Sequence, residues 1–203
     1  MNANNEFAEQ TAAIVVLSGP TAVGKGTVEA RIKQLHPELW VSVSATTRKP
    51  REGEKHGVDY LFVSEEEFAR MEEAGEFLET ALVHGMSHYG TPIKPLLERA
   101  SGGSPALVEI DLQGARRVRE RAEELKLNVF FVFLAPPSFD DLAKRLNKRG
   151  TETEEQKRKR LETAKVEMAA EKEFDRVIVN DDIDKAAEEL WQILKLCAAK
   201  AES

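Results

Sequence analysis

A glycine-rich segment near the start of the chain carries the clearest chemical signal. The apolar run AIVVLS leads into GPTAVGKGT at residues 19–27, and a helical pattern follows. Glycines let the backbone fold around an anion with its N–H groups pointing inward, and a helix N-terminus adds positive potential. The spacing G-x4-G-K places Lys25 where its ammonium group can reach the outer phosphates of a nucleotide. Strand, loop and helix together therefore predict a phosphate-binding loop rather than a chance glycine-rich turn.

This loop departs from the usual pattern at the residue after the lysine. A Ser or Thr hydroxyl that binds Mg²⁺ normally stands there, but this chain has Gly26, with Thr27 one residue later. We therefore assign the metal-ligand role to Thr27. The residues predicted to bind the donor nucleotide are Gly19, Pro20, Thr21, Ala22, Val23, Gly24, Lys25, Gly26 and Thr27.

A second candidate phosphate site lies in SATTRKPREGE, residues 44–54, which GVDY follows at residues 57–60. Arg48 and Arg51 flank a proline, with hydroxyl side chains before them and Tyr60 after them. Arginine makes bidentate, charge-assisted bonds to phosphate, and hydroxyls add directional donors. On spacing alone, a polar surface turn explains the segment equally well. Its position in a chain that already carries a phosphate loop favours a second phosphate site.

Two carboxylates, Glu109 and Asp111, stand at the end of a predicted buried strand. A spacing of two residues places both on the same side of a strand. The carboxyl edge of an open α/β sheet is where such folds bind their ligands. The pair is therefore predicted to face the bound substrates.

A basic segment forms a further candidate site. Residues 144–165 contain nine Lys and Arg against four Glu, an excess of five positive charges in an acidic protein. Arg145 and Arg149 are four apart and share a helical face, and Arg160 follows. The run predicts either a surface that docks an anion or a solvated helix of alternating charges.

The elements that must position these residues alternate along the chain. Four short apolar runs are typical of buried strands, at 14–18, 107–111, 129–134 and 177–179. A helical pattern follows each of them, at 25–35, 113–126, 138–148 and 182–200. Strands that alternate with helices predict a parallel sheet covered on both faces, hence a three-layer α/β fold.

Two segments interrupt this alternation. Residues 44–103 have shorter alternating runs, around 58–63 and 77–83, with a helix at 64–74, and predict an inserted α+β lobe. The charged stretch from about 145 to 172 predicts a mobile helical lid. The core is then assigned to residues 13–43 and 104–203, and residues 1–12 to a flexible N-terminus.

The composition of the chain disfavours several classes of function. The chain has 203 residues with 29 Lys and Arg against 36 Asp and Glu, and the net charge of −7 disfavours a nucleic-acid partner. No apolar run approaches the roughly 20 residues that span a bilayer, and the start lacks the pattern of a secretory signal. The single cysteine, Cys197, allows no internal disulfide. We expect a cytoplasmic protein without a membrane partner, and the oligomeric state is not predicted.

Taken together, these segments resemble the guanylate kinase family over nearly the whole chain, from Ile14 to about Leu194. The shared motifs, in order, are GPTAVGKGT, SATTRKPREGE with GVDY, GEFLET, Tyr89-Gly90-Thr91, LVEIDLQG, RLNKRGTETEE and VIVNDD. The resemblance implies a P-loop fold with a GMP-binding lobe and a lid. It also implies transfer of the γ-phosphoryl group from ATP to GMP, and to dGMP, with Mg²⁺ as cofactor.

The resemblance further implies how GMP is bound. Its phosphate would be held by Ser44, Arg48, Arg51, Tyr60 and Tyr89. Glu79, Thr91 and Asp111 would bind the base. Guanine presents N–H donors at positions 1 and 2 and an acceptor at position 6, which suit carboxylates and a hydroxyl donor. Adenine has the opposite polarity at positions 1 and 6, so a site built this way should reject it.

The remaining implied roles concern ATP and the transferred group. Lys25, Arg48, Arg145, Arg149 and Arg160 would be catalytic, the last three as lid arginines that close over the triphosphate. Asn180 would border the adenine. Glu109 stands where the family commonly has an Asp near magnesium, so we also predict it as a metal ligand, directly or through water. Two alternatives stay open, a non-catalytic guanylate-kinase-like binding module and a P-loop kinase for another phosphorylated acceptor.

Overall fold

The computed structural model describes residues 14–83, 86–101, 106–147 and 154–199. Two sheets divide the strands between them. The larger contains β1 (Ile14–Ser18), β2 (Trp40–Val41), β7 (Ala106–Glu109), β8 (Val129–Ala135) and β9 (Arg176–Val179). The smaller contains β3 (Ala45–Thr46), β4 (Leu61–Phe62), β5 (Phe77–Val83) and β6 (Ser87–Pro92). The helices are α1 (Lys25–Leu35), α2 (Glu65–Glu73), α3 (Ile93–Ser101), α4 (Leu112–Leu125), α5 (Phe139–Asn147), α6 (Glu154–Ala169) and α7 (Ile183–Ala199).

The larger sheet is parallel throughout, in the order β2-β7-β1-β8-β9. Its central strand β1 is buried along its whole length because helices cover both faces. Val15 and Leu17 pack with residues of α1, α5 and α7 on one face. Ile14 and Val16 pack with residues of α3 and α4 on the other. This alternation confirms the predicted three-layer α/β fold.

The smaller sheet is mixed, in the order β4-β3-β6-β5. Strands β5 and β6 form an antiparallel hairpin, whereas β3 and β4 are parallel. Phe68 of α2 stacks on Phe77 beneath this sheet, with ring centroids 4.7 Å apart. A Cβ at Gly90 would lie 2.8 Å from the Phe77 ring, so this close packing requires glycine there. The sheet joins the core through α4, where Arg117 donates to the carbonyl of Thr80.

Several elements differ from the sequence-based expectation. Four elements were not predicted, namely strands β2, β3 and β6 and helix α3. Strands β2 and β3 have only two residues each and β6 reads SHYGTP, so none of these three strands has a clear apolar alternation. Of the run expected at 58–63, only Leu61–Phe62 is strand. Strand β7 ends at Glu109 rather than at residue 111, because Asp111 instead caps α4.

The described residues cover only part of the stretch expected to form the lid, and they do not include the expected flexible N-terminus. Helix α6 fills much of the stretch expected to form the lid. The predicted flexible segment, residues 1–12, lies outside the described residues, and the division of the chain into core and lobe stays a prediction. In the part of the chain that the structure describes, no helix is both long and apolar enough to cross a bilayer.

Candidate active site

The phosphate loop connects β1 to α1 and depends on two glycines with positive φ. Gly19 has φ +152°, and a Cβ there would collide with the carbonyl of Leu134 on the neighbouring strand. Gly24 has φ +102° and stands at the N-terminus of α1. A Cβ at Gly24 would lie 2.9 Å from the side-chain nitrogen of Asn180. The turn therefore needs glycine at both positions, for backbone conformation and for space.

Lys25 is the first residue of α1 and points back into the loop. Its Nζ donates to the carbonyl of Gly19 at 2.8 Å. Burial lowers the pKa of Lys25, while the negative charges of Glu109, Glu167 and Asp111 act in the opposite direction. The ammonium group is thus held inside the loop, where it can meet a phosphate oxygen.

Hydrogen bonds to the carbonyl of Val23 connect the loop to the rest of the fold. Arg145 of α5 and Asn180, which follows β9, each donate to it at 2.8 Å. Arg145 also donates to the carbonyl of Asn180 at 3.2 Å, so the two side chains form one network. On the other side, the backbone N–H of Thr21 donates to Glu167 of α6 at 2.9 Å. Three elements distant in sequence therefore hold the loop in shape.

A cavity of about 930 Å³ opens at this loop. Its lining includes Ala22, Val23, Gly24, Lys25, Gly26, Thr27, Glu109, Arg145 and Asn180, all of them predicted for the donor nucleotide or the metal. Gly19, Pro20 and Thr21 are outside this lining, although Gly19 and Thr21 make the contacts described above. Arg149 lies outside the described residues, and position 160 falls within α6.

A second cavity, of about 390 Å³, lies between the two sheets. It is lined by seven of the eight residues predicted to bind the acceptor, namely Ser44, Arg48, Arg51, Tyr60, Glu79, Tyr89 and Asp111. The eighth, Thr91, is buried behind Glu79 and bonded to it. Lys25 and Glu109 line both cavities. The two cavities therefore meet where a phosphoryl group would pass from one to the other.

Arg48 is fixed on several sides at the edge of the second cavity. Its Nε donates to the Tyr89 hydroxyl at 3.1 Å. Its two terminal nitrogens donate to the two carboxylate oxygens of Glu54, at 3.0 and 2.9 Å. The guanidinium also lies 5.4 Å from the centre of the Tyr60 ring. The hydrogen bond to Glu54 and, to a smaller extent, the one to Tyr89 raise the pKa of Arg48, so the guanidinium remains cationic.

Two carboxylates at the inner end of this cavity have different environments. Glu79 is only 8% exposed, and burial raises its pKa. Thr91 lies opposite it on β6 and donates its hydroxyl to Glu79 at 2.7 Å. Asp111 accepts from the backbone N–H of Gly114 at 2.7 Å and so caps α4. Both carboxylates line the same cavity, Glu79 from β5 and Asp111 from the N-terminus of α4, although they are 32 residues apart in sequence.

Glu109 lies at the junction of the two cavities. Burial raises its pKa to about 7, and the neighbouring carboxylate of Glu29 adds to this effect. Among the described residues, no group of three or more His, Cys, Asp or Glu side chains is arranged to hold a metal ion. The hydroxyl of Thr27 and the carboxylate of Glu109 nevertheless line one cavity. These oxygen donors fit Mg²⁺, which takes few protein ligands and completes its shell with phosphate and water.

Sequence reasoning missed three side chains that this geometry brings to the site, namely Glu29, Glu54 and Glu167. Glu54 follows Arg48 by six residues in a turn that contains Gly53, which is a weak local signal. Glu167 is 146 residues from its partner Thr21, and no pattern in the sequence links the two.

The fold and the two joined cavities define a P-loop protein of the kind that transfers phosphoryl groups between two bound substrates. A family model described as guanylate kinase matches residues 11–196. The guanylate kinase of Bifidobacterium longum (strain NCC 2705) is 63% identical over 181 residues, which cover 89% of this chain and 92% of that relative. The guanylate kinase of Frankia casuarinae is 57% identical, over 89% of this chain and 96% of that relative.

A solved structure agrees with these relatives. The crystal structure of guanylate kinase from Anaplasma phagocytophilum has a TM-score of 0.70 and 35% identity, and the match covers 92% of this chain and 86% of that one. The chain belongs to the guanylate kinase family.

Proposed function

We propose that this protein transfers the γ-phosphoryl group of ATP to GMP, and to dGMP, and yields ADP and the corresponding diphosphate. The observation that carries the proposal is the pair of cavities that share Lys25 and Glu109. One cavity opens at a phosphate loop, and the other is lined both by arginines that suit a phosphate and by carboxylates that suit guanine. The family relationship supports the same reaction.

The chemistry needs positioning and charge neutralisation more than acid–base catalysis. An oxygen of the GMP phosphate is the nucleophile, and it is already ionised at neutral pH. Arg48 and Arg51 hold that phosphate and offset its repulsion by the triphosphate of ATP. Lys25 lines both cavities, where its ammonium group can stabilise the negative charge that develops on the transferred group. We propose no general base.

The metal and the lid complete the proposed site. Mg²⁺ bound with ATP would supply charge neutralisation and hold the phosphate chain in line. Thr27 and Glu109 are the residues that would hold it, directly or through water. We assign to Arg145, Arg149 and Arg160 the closure over the triphosphate that excludes water from the transfer. In the structure Arg145 also supports the loop, which gives it a second role.

Recognition of the base would depend on Glu79, Thr91 and Asp111. The Thr91 hydroxyl fixes one oxygen of Glu79, and the other oxygen can accept from the guanine N–H groups. An adenine ring would leave the buried polar groups of the site unpaired, which costs about 10⁴- to 10⁵-fold in comparable sites. Asn180, at the edge of the first cavity, would border the adenine of ATP.

The reaction can be tested by ADP release with ATP and Mg²⁺, with GMP, dGMP, AMP, CMP and UMP offered in parallel. We expect turnover with GMP and dGMP far above that with the other acceptors. GMP binding without turnover would instead favour a non-catalytic binding module, and turnover with another acceptor would favour a different P-loop kinase. The comparisons give no support to either alternative. A cytoplasmic location and the absence of nucleic-acid and membrane partners stay predictions.

A further inference from the structure

Glu54 is the main partner of Arg48, one of the two arginines that line the proposed phosphate site. Its two oxygens accept from both terminal nitrogens of Arg48, at 3.0 and 2.9 Å. The side chains of Arg48 and Glu54 are 17% and 20% exposed, so water screens this pair only partly. Arg48 lowers the pKa of Glu54, which keeps the carboxylate charged at neutral pH.

The contacts of Arg48 define which of its donors remains for a ligand. A guanidinium has five N–H groups in one plane. Three of them go to the two oxygens of Glu54 and to the carbonyl of Lys49, and Nε donates to the Tyr89 hydroxyl. The remaining N–H is on Nη2, on the edge that it shares with Nε, and has no partner among the described residues. The Tyr89 oxygen accepts from Nε, so its own proton is available on that same edge.

The same carboxylate also holds the backbone of Arg51. Glu54 accepts from the Arg51 N–H at 2.7 Å, and its own N–H donates to the Arg51 carbonyl at 3.1 Å. Gly53 has φ +89° at the third position of this four-residue turn, a conformation typical of a type II turn. The turn therefore fixes the position of Glu54 independently of Arg48.

This second attachment distinguishes two roles for Glu54. A carboxylate held only by Arg48 could be an internal competitor that an incoming phosphate displaces. Displacement here would also break the bond to the Arg51 N–H and leave that donor without its partner. The carboxylate is therefore expected to stay in place while the phosphate binds at the adjacent edge of the guanidinium, formed by Nε and Nη2.

We propose that Glu54 is a positioning residue that holds Arg48 and Arg51 together in the orientation that receives the acceptor phosphate. This role rests on the proposed function, because the phosphate in question is that of GMP. Glu54 would not contact the phosphate itself. It would direct the remaining Nη2 N–H of Arg48 and the hydroxyl proton of Tyr89 toward the cavity.

The test is Glu54→Gln, with Glu52→Gln as the matched control. Glu52 is an exposed carboxylate in the same turn. The amide introduced at position 54 would still accept one bond but would direct an N–H₂ group toward Arg48. We expect the KM for GMP to rise about 10-fold, since small displacements of a positioning group cost that much or more. The KM for ATP and the melting temperature should stay near the wild-type values, as should all parameters of Glu52→Gln.

Binding measurements separate the phosphate from the base. By calorimetry, Glu54→Gln should lose affinity for GMP and keep the wild-type affinity for guanosine, which has no phosphate. A second variant, Gly53→Ala, should reproduce part of the loss by straining the turn. Gly75→Ala is its control, because both glycines have positive φ and open space at the Cβ position.

Three results would overturn the role of Glu54. An unchanged KM for GMP would mean that Arg48 needs no support, and a lowered one would mean that Glu54 competes with the phosphate. Equal losses for GMP and guanosine would indicate a general structural effect. If wild-type protein binds GMP without turning it over, the proposed reaction fails, and the comparison of GMP with guanosine still tests Glu54.

Discussion

At the scale of single residues, we propose that base selection depends on Glu79, a carboxylate that the fold keeps away from water. Glu79 lies on β5 opposite Thr91, and the hydroxyl donates to one carboxylate oxygen. This bond orients the second oxygen toward the cavity shared with Asp111. A carboxylate with a fixed direction can discriminate between bases because it accepts bonds and donates none.

Replacing Glu79 by Gln should therefore weaken selection of guanine. The amide would present N–H groups to the N–H groups of the base, and a bond to a charged acceptor would be lost. We expect kcat/KM for GMP to fall roughly 10- to 100-fold, which corresponds to one such bond. The ratio of GMP to AMP turnover should fall with it. The control is Glu76→Gln, which removes an exposed carboxylate paired with Arg70.

The burial of Glu79 also predicts a pH dependence of stability. Burial raises its pKa above the ordinary value; Asp111 raises it further, while Thr91 and Arg117 lower it. Between the ordinary and the raised pKa, the folded protein holds a proton that the unfolded chain has lost. The free energy of unfolding must therefore decrease as the pH rises through this window, and then level off.

Urea unfolding of wild type and Glu79→Gln between about pH 4.5 and 8 would measure this contribution. The difference between the two proteins isolates Glu79 from other groups such as Glu109. Wild type should lose stability relative to the variant as the pH rises. A difference that stays constant with pH would contradict the assignment.

At the scale of elements, the phosphate loop is held by groups from three different parts of the chain. Its own sequence supplies the glycines that permit the turn, but the Val23 carbonyl is bound by Arg145 of α5 and by Asn180 after β9. Helix α6 contributes Glu167 to the N–H of Thr21. The elements expected to close over ATP therefore also contact the loop that binds it.

Asn180→Ala tests this support. The side chain of Asn180 is 3% exposed, and its loss would leave Val23 with Arg145 alone. We expect the free energy of unfolding to fall by about 0.5–1.5 kcal/mol, the usual net contribution of one hydrogen bond, because Arg145 still donates to the Val23 carbonyl. The KM for ATP should rise while that for GMP changes little. Gln192→Ala, which removes an exposed amide on α7, should cost less than about 0.5 kcal/mol.

At the scale of the whole molecule, the acceptor cavity is built from both sheets. Glu79 and Tyr89 come from the smaller sheet, whereas Glu109 and Asp111 lie at or just beyond the end of β7 in the larger one, and Lys25 begins the helix that follows β1. Any movement of one sheet relative to the other changes the distance between the two bound nucleotides. A substrate pair that contacts both sheets should therefore favour a closed arrangement.

Small-angle X-ray scattering can test this closure. We expect the radius of gyration to decrease most when GMP and a non-hydrolysable ATP analogue are both present, and less with either alone. AMP in place of GMP is the control, because it would leave the carboxylates of the acceptor cavity without suitable donors. An unchanged radius with both ligands would show that the cavities are already closed.

Features that depend on local order could be predicted from the amino-acid sequence. The strand, glycine loop and helix around Lys25 are contiguous, and apolar runs that alternate with helices predict a parallel sheet. Strands β2 and β3 were not predicted because each has only two residues and depends on pairing with strands distant in sequence. Strand β6 was not predicted because its sequence, SHYGTP, has no clear apolar alternation. The resemblance to a family supplied the acceptor residues that spacing alone left open.

How these residues meet depends on tertiary contacts. Glu79 on β5 and Asp111 at the N-terminus of α4 line one cavity, and Lys25 and Glu109 line both that cavity and the one at the loop. Only contacts in three dimensions identify three further carboxylates at the site: Glu54 beside Arg48, Glu29 beside Glu109 and Glu167 beside Thr21. The physical reason is that burial, pKa and hydrogen-bond direction depend on neighbours in three dimensions, which a one-dimensional pattern does not record.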